Sequence, residues 1–137
     1  MDELDRQILT ILRRDSRTPY TAIADQVGTS EGTVRNRVDR MTEEGIIERF
    51  TVATRTGNVK AMIEVSVGVD VDTAAVSDRL AEWDQVDFVW QVSGEADVVL
   101  VVDAIDTDSV NDLITRARKL DEVNDTKTRL ILDERLG

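Results

Sequence analysis

The sequence contains no cysteine and no histidine among its 137 residues. Their absence excludes disulfides, zinc sites built from thiolates or imidazoles, and catalysis that depends on either side chain. The sequence also has no run of about 18 apolar residues that could span a membrane, and its acidic start, Met1-Asp2-Glu3, is unlike a secretory signal. We therefore expect a cytoplasmic protein that does not contact a membrane, is not an enzyme, and needs no metal or other cofactor.

Positive charge is scarce as well, because 28 acidic residues face 17 basic ones and the net charge is −11. The only lysines are Lys60, Lys119 and Lys127. Residues 1–50 carry 10 acidic and 8 basic residues, whereas residues 51–137 carry 18 and 9. The excess acid therefore lies in the second half of the chain. An acidic, lysine-poor surface resembles that of proteins from salt-loving organisms.

The stretch from Ser30 to Gly45 reads as one capped helix. Ser30 is a favourable N-cap, and Gly45 stands where a left-handed residue ends a helix. Val34, Val38 and Met41 fall at helical spacing and form its apolar stripe. The other side is small near its start and then carries cations and an amide, in the residues Gly32, Thr33, Arg35, Asn36 and Arg40. This equipment suits a helix that enters a DNA groove, although such a helix is also compatible with a plain solvated surface.

A second short helix precedes this one, from Thr18 to Val27, with Pro19 near its first turn. Only Gly28-Thr29 separates the two, which predicts a helix-turn-helix. A further helix from Asp2 to Arg14 completes a three-helix domain. The alternating residues from Ile46 to Val52 predict a strand, and hence a winged variant of the motif.

The turn residues Arg55-Thr56-Gly57-Asn58 predict a break between two domains. We place a DNA-binding domain at 1–52, a hinge at 53–60 and a second domain at 61–137. In the second domain we predict strands at Ala61–Val71, Val86–Ser93, Asp97–Ala104 and Thr126–Leu132, with helices at Thr73–Trp83 and at 106–120. This order is the ferredoxin-like βαββαβ pattern, so the fold class is α+β. We expect Ala61–Val71 to be an exposed edge strand that pairs two subunits.

Taken together, the residues resemble the Lrp/AsnC (feast/famine) family of prokaryotic transcription regulators over almost the whole chain. In the second domain, Gly94 and Asp97 match a glycine and an aspartate separated by two positions. With the acidic surface, the resemblance implies a halophilic archaeal source. The matching residues of the first domain are Leu4-Asp5, Ile8-Leu9, Asp15-Ser16-Arg17, Ile23-Ala24, Val27-Gly28, Ser30, Thr33-Val34, Arg37-Val38 and Gly45-Ile46-Ile47.

The resemblance implies two sites. The residues that would face double-stranded DNA are Ser30, Gly32, Thr33, Arg35, Asn36 and Arg40. Those that would bind a small effector, an amino acid, are Ser93, Gly94, Glu95 and Asp97. Arginine beside acids more often forms a salt bridge, so we expect Arg37 to be structural. Gly94 and Asp97 are equally compatible with a plain turn and its cap.

The function expected is sequence-specific regulation of transcription, with a homodimer or an octamer binding pseudo-palindromic promoter sites under control of the effector. An architectural protein that coats DNA is one alternative, but Arg35 and Asn36 are of base-reading types. An enzyme of the sirohaem decarboxylase type is another, but that chemistry is associated with histidines, which this chain lacks.

Overall fold

A computed structural model describes all 137 residues. The chain divides into two compact units, Met1–Thr54 and Arg55–Leu136. None of the helices is both long and apolar enough to cross a membrane. The helices are α1 (Glu3–Arg14), α2 (Tyr20–Val27), α3 (Glu31–Glu43), α4 (Thr73–Ala81) and α5 (Thr107–Arg118), and the strands are β1 (Val59–Val67), β2 (Val86–Gln91), β3 (Val98–Ala104) and β4 (Val123–Leu130).

The first unit is a bundle of the three predicted helices. Helix α1 begins at a capping box, in which the Asp2 carboxylate accepts from the backbone N–H of Asp5 and the Asp5 carboxylate accepts from that of Asp2. Gly28 ends α2 in the left-handed conformation, with φ of +74°. The core of the unit is the buried set Ile8, Leu12, Ile23, Ala24, Val34, Val38, Met41 and Ile47.

The predicted wing strand from Ile46 to Val52 is wrong for this structure, because residues 46–52 have no strand hydrogen bonding. Only Ile47 is buried, while Ile46, Phe50 and Val52 are exposed. The alternating sequence has strand propensity, but a strand also needs a neighbour to accept its hydrogen bonds. The first unit contains no other strand that could pair with this segment.

The second unit is an antiparallel sheet with the order β2-β3-β1-β4. In β1, Ala61, Ile63 and Val65 point to the face that packs against α4 and α5. Val98, Leu100 and Val102 of β3 lie opposite them on the same face. The helices contribute Val76, Leu80, Trp83, Val110, Leu113 and Ala117 to this core. The predicted α+β, ferredoxin-like class is confirmed.

The prediction of Ala61–Val71 as an exposed edge strand is wrong. Strand β1 pairs with β3 on one side and β4 on the other, so it is central. It ends at Val67, and Val69 is fully exposed in the loop that follows. In the βαββαβ order each helical crossover returns the chain to the sheet beyond the strand next to it, which places the first and third strands inside. The edges are therefore β2 and β4.

Candidate functional site

The turn between α2 and α3 is set by two backbone hydrogen bonds to one carbonyl. The N–H groups of Gly28 and Thr29 both donate to Ala24 O, at 2.9 and 3.0 Å. Ser30 then caps α3, because its Oγ accepts from the N–H of Thr33 at 3.2 Å. These contacts fix the angle at which α3 leaves the turn, as a helix-turn-helix requires.

The start of α3 is exposed and carries several small side chains. The hydroxyls of Ser30 and Thr33 lie 2.9 Å apart and share a hydrogen bond. Gly32 is exposed, and a Cβ at that position would meet no atom within 4 Å. The open N–H groups and hydroxyls at a helix N-terminus are suited to an anion such as a phosphate.

Arg35 leaves the helix one turn later and is held by its neighbours. Its guanidinium donates to the Glu31 carboxylate and lies 5.2 Å from the centroid of the Tyr20 ring. The hydrogen bond that Arg35 donates to Glu31 raises the pKa of Arg35 above its ordinary value. Asn36, the next residue, is exposed. The two side chains best suited to read bases, a guanidinium and an amide, are thus both at the surface.

Arg37 and Arg40 are tied to the start of α1. Arg37 Nη1 donates to Asp2 Oδ2 at 2.6 Å and to Asp5 Oδ1 at 3.1 Å, and Arg40 Nη2 donates to Asp5 Oδ2 at 2.6 Å. The Asp5 side chain is fully buried. The pKa of Asp2 falls to about 2, first because it accepts the backbone hydrogen bond from Asp5 and next because Arg37 donates to it.

The residues predicted to face DNA differ in their exposure and in their contacts. Ser30, Gly32 and Asn36 are exposed, Thr33 is half-buried, and both Arg35 and Arg40 are exposed but engaged with carboxylates. The interpretation of Arg37 as structural agrees with its two ion pairs. The Asp5 carboxylate is a site residue not predicted from the sequence, although it lies at the same helical spacing as the buried Ile8 and Leu12.

In the second unit, the predicted effector residues lie in the connection between β2 and β3. Gly94 has φ of +115°, in the region that favours glycine. Asp97 Oδ2 accepts from the N–H of Val67 at 2.8 Å, and the Asp97 N–H donates to Val65 O at 2.9 Å. Asp97 therefore fastens this connection to β1, as the turn-and-cap interpretation expects. Ser93, Gly94 and Glu95 are exposed.

A small cavity of about 30 Å³ opens beside this connection, and of the four predicted residues only Glu95 lines it. A space of this size holds a water molecule or two and is smaller than an amino acid. The remaining lining residues come from β1, β4 and the connection: Glu64, Ser66, Ala96, Asp125 and Lys127. The β1 and β4 residues of this lining were not predicted, because only the register of the sheet brings them beside the Gly94 turn.

The two units match two known protein domains. Residues 1–42 match the AsnC-type helix-turn-helix domain, and residues 60–136 match the Lrp/AsnC ligand binding domain. A helix-turn-helix domain followed by a ligand-binding α+β domain defines a class of DNA-binding regulator that responds to a small molecule.

Relatives of similar length support a narrower assignment. The HTH-type transcriptional regulator LysM of Sulfurisphaera tokodaii is 34% identical over 133 residues, which cover 96% of this chain and 95% of that protein. The HTH-type transcriptional regulator LrpA of Pyrococcus horikoshii is 33% identical over 138 residues, covering 98% of each. The crystal structure of MtbAldR has a TM-score of 0.86 at 28% identity, and E. coli AsnC one of 0.75 at 25%, each match covering 100% of this chain and 95% of the other.

The chain belongs to the Lrp/AsnC family of transcription regulators. The family predicted from its residues is therefore confirmed, as is a function in regulating transcription through DNA. These relatives are regulators, which supports the expectation that this protein is not an enzyme.

Proposed function

We propose that the exposed start and outer face of α3 enter the major groove and read the operator. The residues proposed to contact DNA are Ser30, Gly32, Thr33, Arg35, Asn36 and Arg40. The observation that carries this assignment is the exposed pair of Arg35 and Asn36 on a helix whose entry is fixed by Gly28 and the Ser30 cap. Arg35 can pair bidentately with guanine and Asn36 with adenine, while the helix N-terminus is suited to a phosphate.

The assignment is tested by replacing Arg35. Arg35→Ala should weaken binding to the preferred duplex by about 1–3 kcal/mol and abolish the preference for one base pair, because one bidentate contact is lost. Arg79→Ala is the matched control, since Arg79 is also a half-exposed arginine paired with a glutamate, Glu122, but lies in the second unit. Equal weakening on every sequence by Arg35→Ala would assign Arg35 to the backbone and not to a base.

The DNA-binding form is proposed to be a homodimer, alone or assembled into an octamer, whose two helix-turn-helix units read half-sites about 34 Å apart. The open face of the sheet supports this, because β2 and β3 together place four apolar residues on it. Phe88 and Trp90 stack there with ring centroids 5.6 Å apart and are each about half exposed, at 51% and 49%. Val99 and Val101 pair beside them. Apolar patches of this kind mark association surfaces.

The second unit is proposed to bind an amino acid near the Gly94 turn, with Ser93, Gly94, Glu95 and Asp97 contributing to the site. The acids around the small cavity would accept hydrogen bonds from the ammonium group of the ligand, and Lys127 would donate to its carboxylate. Because the cavity is smaller than an amino acid, the ligand would also need the neighbouring open sheet face, which a second subunit would cover. A structural neighbour from Neisseria meningitidis was solved as a complex with L-Met.

The division of the chain is proposed to follow these roles, with residues 1–52 for DNA, 53–60 as a hinge and 61–137 for effector binding and association. For an effector to alter DNA binding, it must bind two states of the protein with different affinity. The protein is proposed to work in the cytoplasm, because the chromosomal DNA of a prokaryote lies there.

A further inference from the structure

One carboxylate of the DNA-binding unit, that of Asp5, lies in the interior, where acidic side chains are rare. Asp5 is the only acidic residue of the chain in the buried class, with 0% of its surface exposed. Both of its oxygens are used: Oδ1 accepts from Arg37, and Oδ2 accepts from Arg40 and from the backbone N–H of Asp2. Asp5 thus joins the start of α1 to the middle of α3.

Stability alone gives little reason for this arrangement. A buried ion pair is often no more stabilising than apolar side chains of similar volume, because both charges must be taken out of water. A buried carboxylate does fix the orientation of its partners, because hydrogen bonds to a fixed acceptor hold a long side chain in one conformation. Asp5 does this for two arginines that lie three residues apart on α3.

Both arginines keep donors that face away from Asp5. Arg37 uses only Nη1 within the protein, so its Nε and Nη2 remain available. Arg40 uses Nη2, with Nε at 4.0 Å from Glu44, so its Nη1 remains available. Their side chains are 26% and 46% exposed. Guanidinium groups fixed on one edge and open on the other are suited to a phosphate oxygen.

The position of the pair on α3 agrees with this use. At 100° per residue, Arg37 and Arg40 lie on one flank of the helix, between the apolar stripe of Val34, Val38 and Met41 and the outer face that carries Gly32 and Asn36. A helix in the major groove has phosphates along its flanks and bases in front of it. The pair therefore lies where a phosphate backbone would pass.

We propose that Asp5 is a positioning residue for DNA binding, which holds Arg37 and Arg40 so that their outward N–H groups contact phosphate at the groove edge and set the register of α3. The proposal rests on the groove-facing role of α3 given above. It extends that role to a buried residue that cannot itself touch DNA.

If Asp5 acted through its charge alone, its replacement would strengthen DNA binding. Asp5→Asn adds one unit of positive charge per chain and retains both arginines, so attraction to any duplex should rise. A purely structural role predicts a third result, since partial unfolding lowers the affinity for all duplexes by the same factor. Positioning alone lowers the affinity for the preferred duplex while the affinity for random sequence stays or rises.

The experiment measures the ratio of those two affinities with the full chain. The probes are the duplex most enriched by the wild-type protein from a random double-stranded library and a random-sequence duplex of the same length. Asp5→Asn should lower the ratio about tenfold, equivalent to about 1.4 kcal/mol. Asp25→Asn, at an exposed carboxylate of α2, makes the same charge change and should leave the ratio unchanged.

An unchanged ratio in folded Asp5→Asn overturns the proposal. If circular dichroism shows that this variant is unfolded, Asp2→Asn replaces it, because Asp2 is exposed and bonds only one of the arginines. The ratio should then fall about threefold, or about 0.7 kcal/mol, and no fall overturns the proposal. If the wild-type protein enriches no duplex, the groove-facing role of α3 fails first and the positioning role fails with it. Enrichment with an unchanged ratio rejects the positioning role alone.

Discussion

At the scale of single residues, the arginines of α3 are held in place by carboxylates. Helix α3 contains three arginines and three acidic residues, and each arginine has a carboxylate partner in the structure. Pairs at an exposed surface contribute little stability. Their consequence lies in orientation: the direction of Arg35 follows from Glu31 and Tyr20, and that of Arg40 from Asp5.

The lowered pKa of Asp2 predicts a pH dependence of stability. The folded pKa is about 2 against an ordinary value of 3.8, so the unfolded chain binds more protons between these values. The stabilisation from ionised Asp2 is therefore present above pH 3.8 and lost as the pH falls through the folded pKa.

Comparison with Asp2→Asn measures this contribution, because asparagine still caps a helix but carries no charge. Wild type should exceed Asp2→Asn in free energy of unfolding at pH 5, and the excess should shrink at pH 2.5, as measured by urea unfolding. Asp25→Asn serves as the charge-matched control at an exposed site. An excess of the same size at both pH values contradicts the role assigned to the Asp2 carboxylate.

Site residues could be predicted from the sequence only where a local pattern identifies them. The cap at Ser30, the turn at Gly28 and the exposed Arg35 and Asn36 follow from spacing along one helix. The partners of Arg37 and Arg40 could not be found this way, because Asp2 and Asp5 are more than 30 residues distant in the chain. The cavity residues Glu64 and Lys127 come together only through the register of β1 and β4.

At the scale of elements, helices were easier to predict than strands. Each helix carries its own hydrogen bonds, cap and apolar stripe, so α1, α3 and α5 begin within one residue of their predicted starts. Helix α2 begins at Tyr20 and not at Thr18, with Pro19 extended at its N-cap. A strand depends on its neighbours, which explains both the absent strand at Ile46–Val52 and the central position of β1.

Two glycines of the helix-turn-helix provide a matched test of its turn. Gly28→Ala should destabilise the protein by about 1 kcal/mol, because a side chain is disfavoured at positive φ. Gly32→Ala should stabilise it by up to about 0.5 kcal/mol, because Gly32 lies in α3 and its Cβ position is open. Both effects can be measured by urea unfolding. Equal effects of the two substitutions would show that the left-handed turn at Gly28 does not limit the fold.

At the scale of the whole molecule, acid and function are distributed unequally. Residues 51–137 hold 18 of the 28 acidic residues, and residues 1–50 are close to neutral. The DNA-binding half therefore attracts phosphate weakly at long range, so its affinity must depend on fitted hydrogen bonds more than on counterion release. Adaptation of the protein to high salt is consistent with this distribution of acidic residues, and it stays a prediction.

The open sheet face predicts how subunits associate. Phe88→Ser with Trp90→Ser should convert the proposed dimer to a monomer, because the two stacked rings are exposed apolar side chains on that face. Val69→Ser is the control, since Val69 is also an exposed apolar residue but lies in a loop outside the sheet. Sedimentation equilibrium gives the molar mass. An unchanged mass in the double variant contradicts the proposed association surface.

Whether α3 reads a specific DNA sequence can be measured by selection from a random double-stranded library with the purified full chain, at moderate and at high salt. We expect enrichment of one pseudo-palindromic motif at both salt concentrations, with half-sites about one helical turn apart. Recovery of unrelated sequences at both concentrations would contradict this expectation.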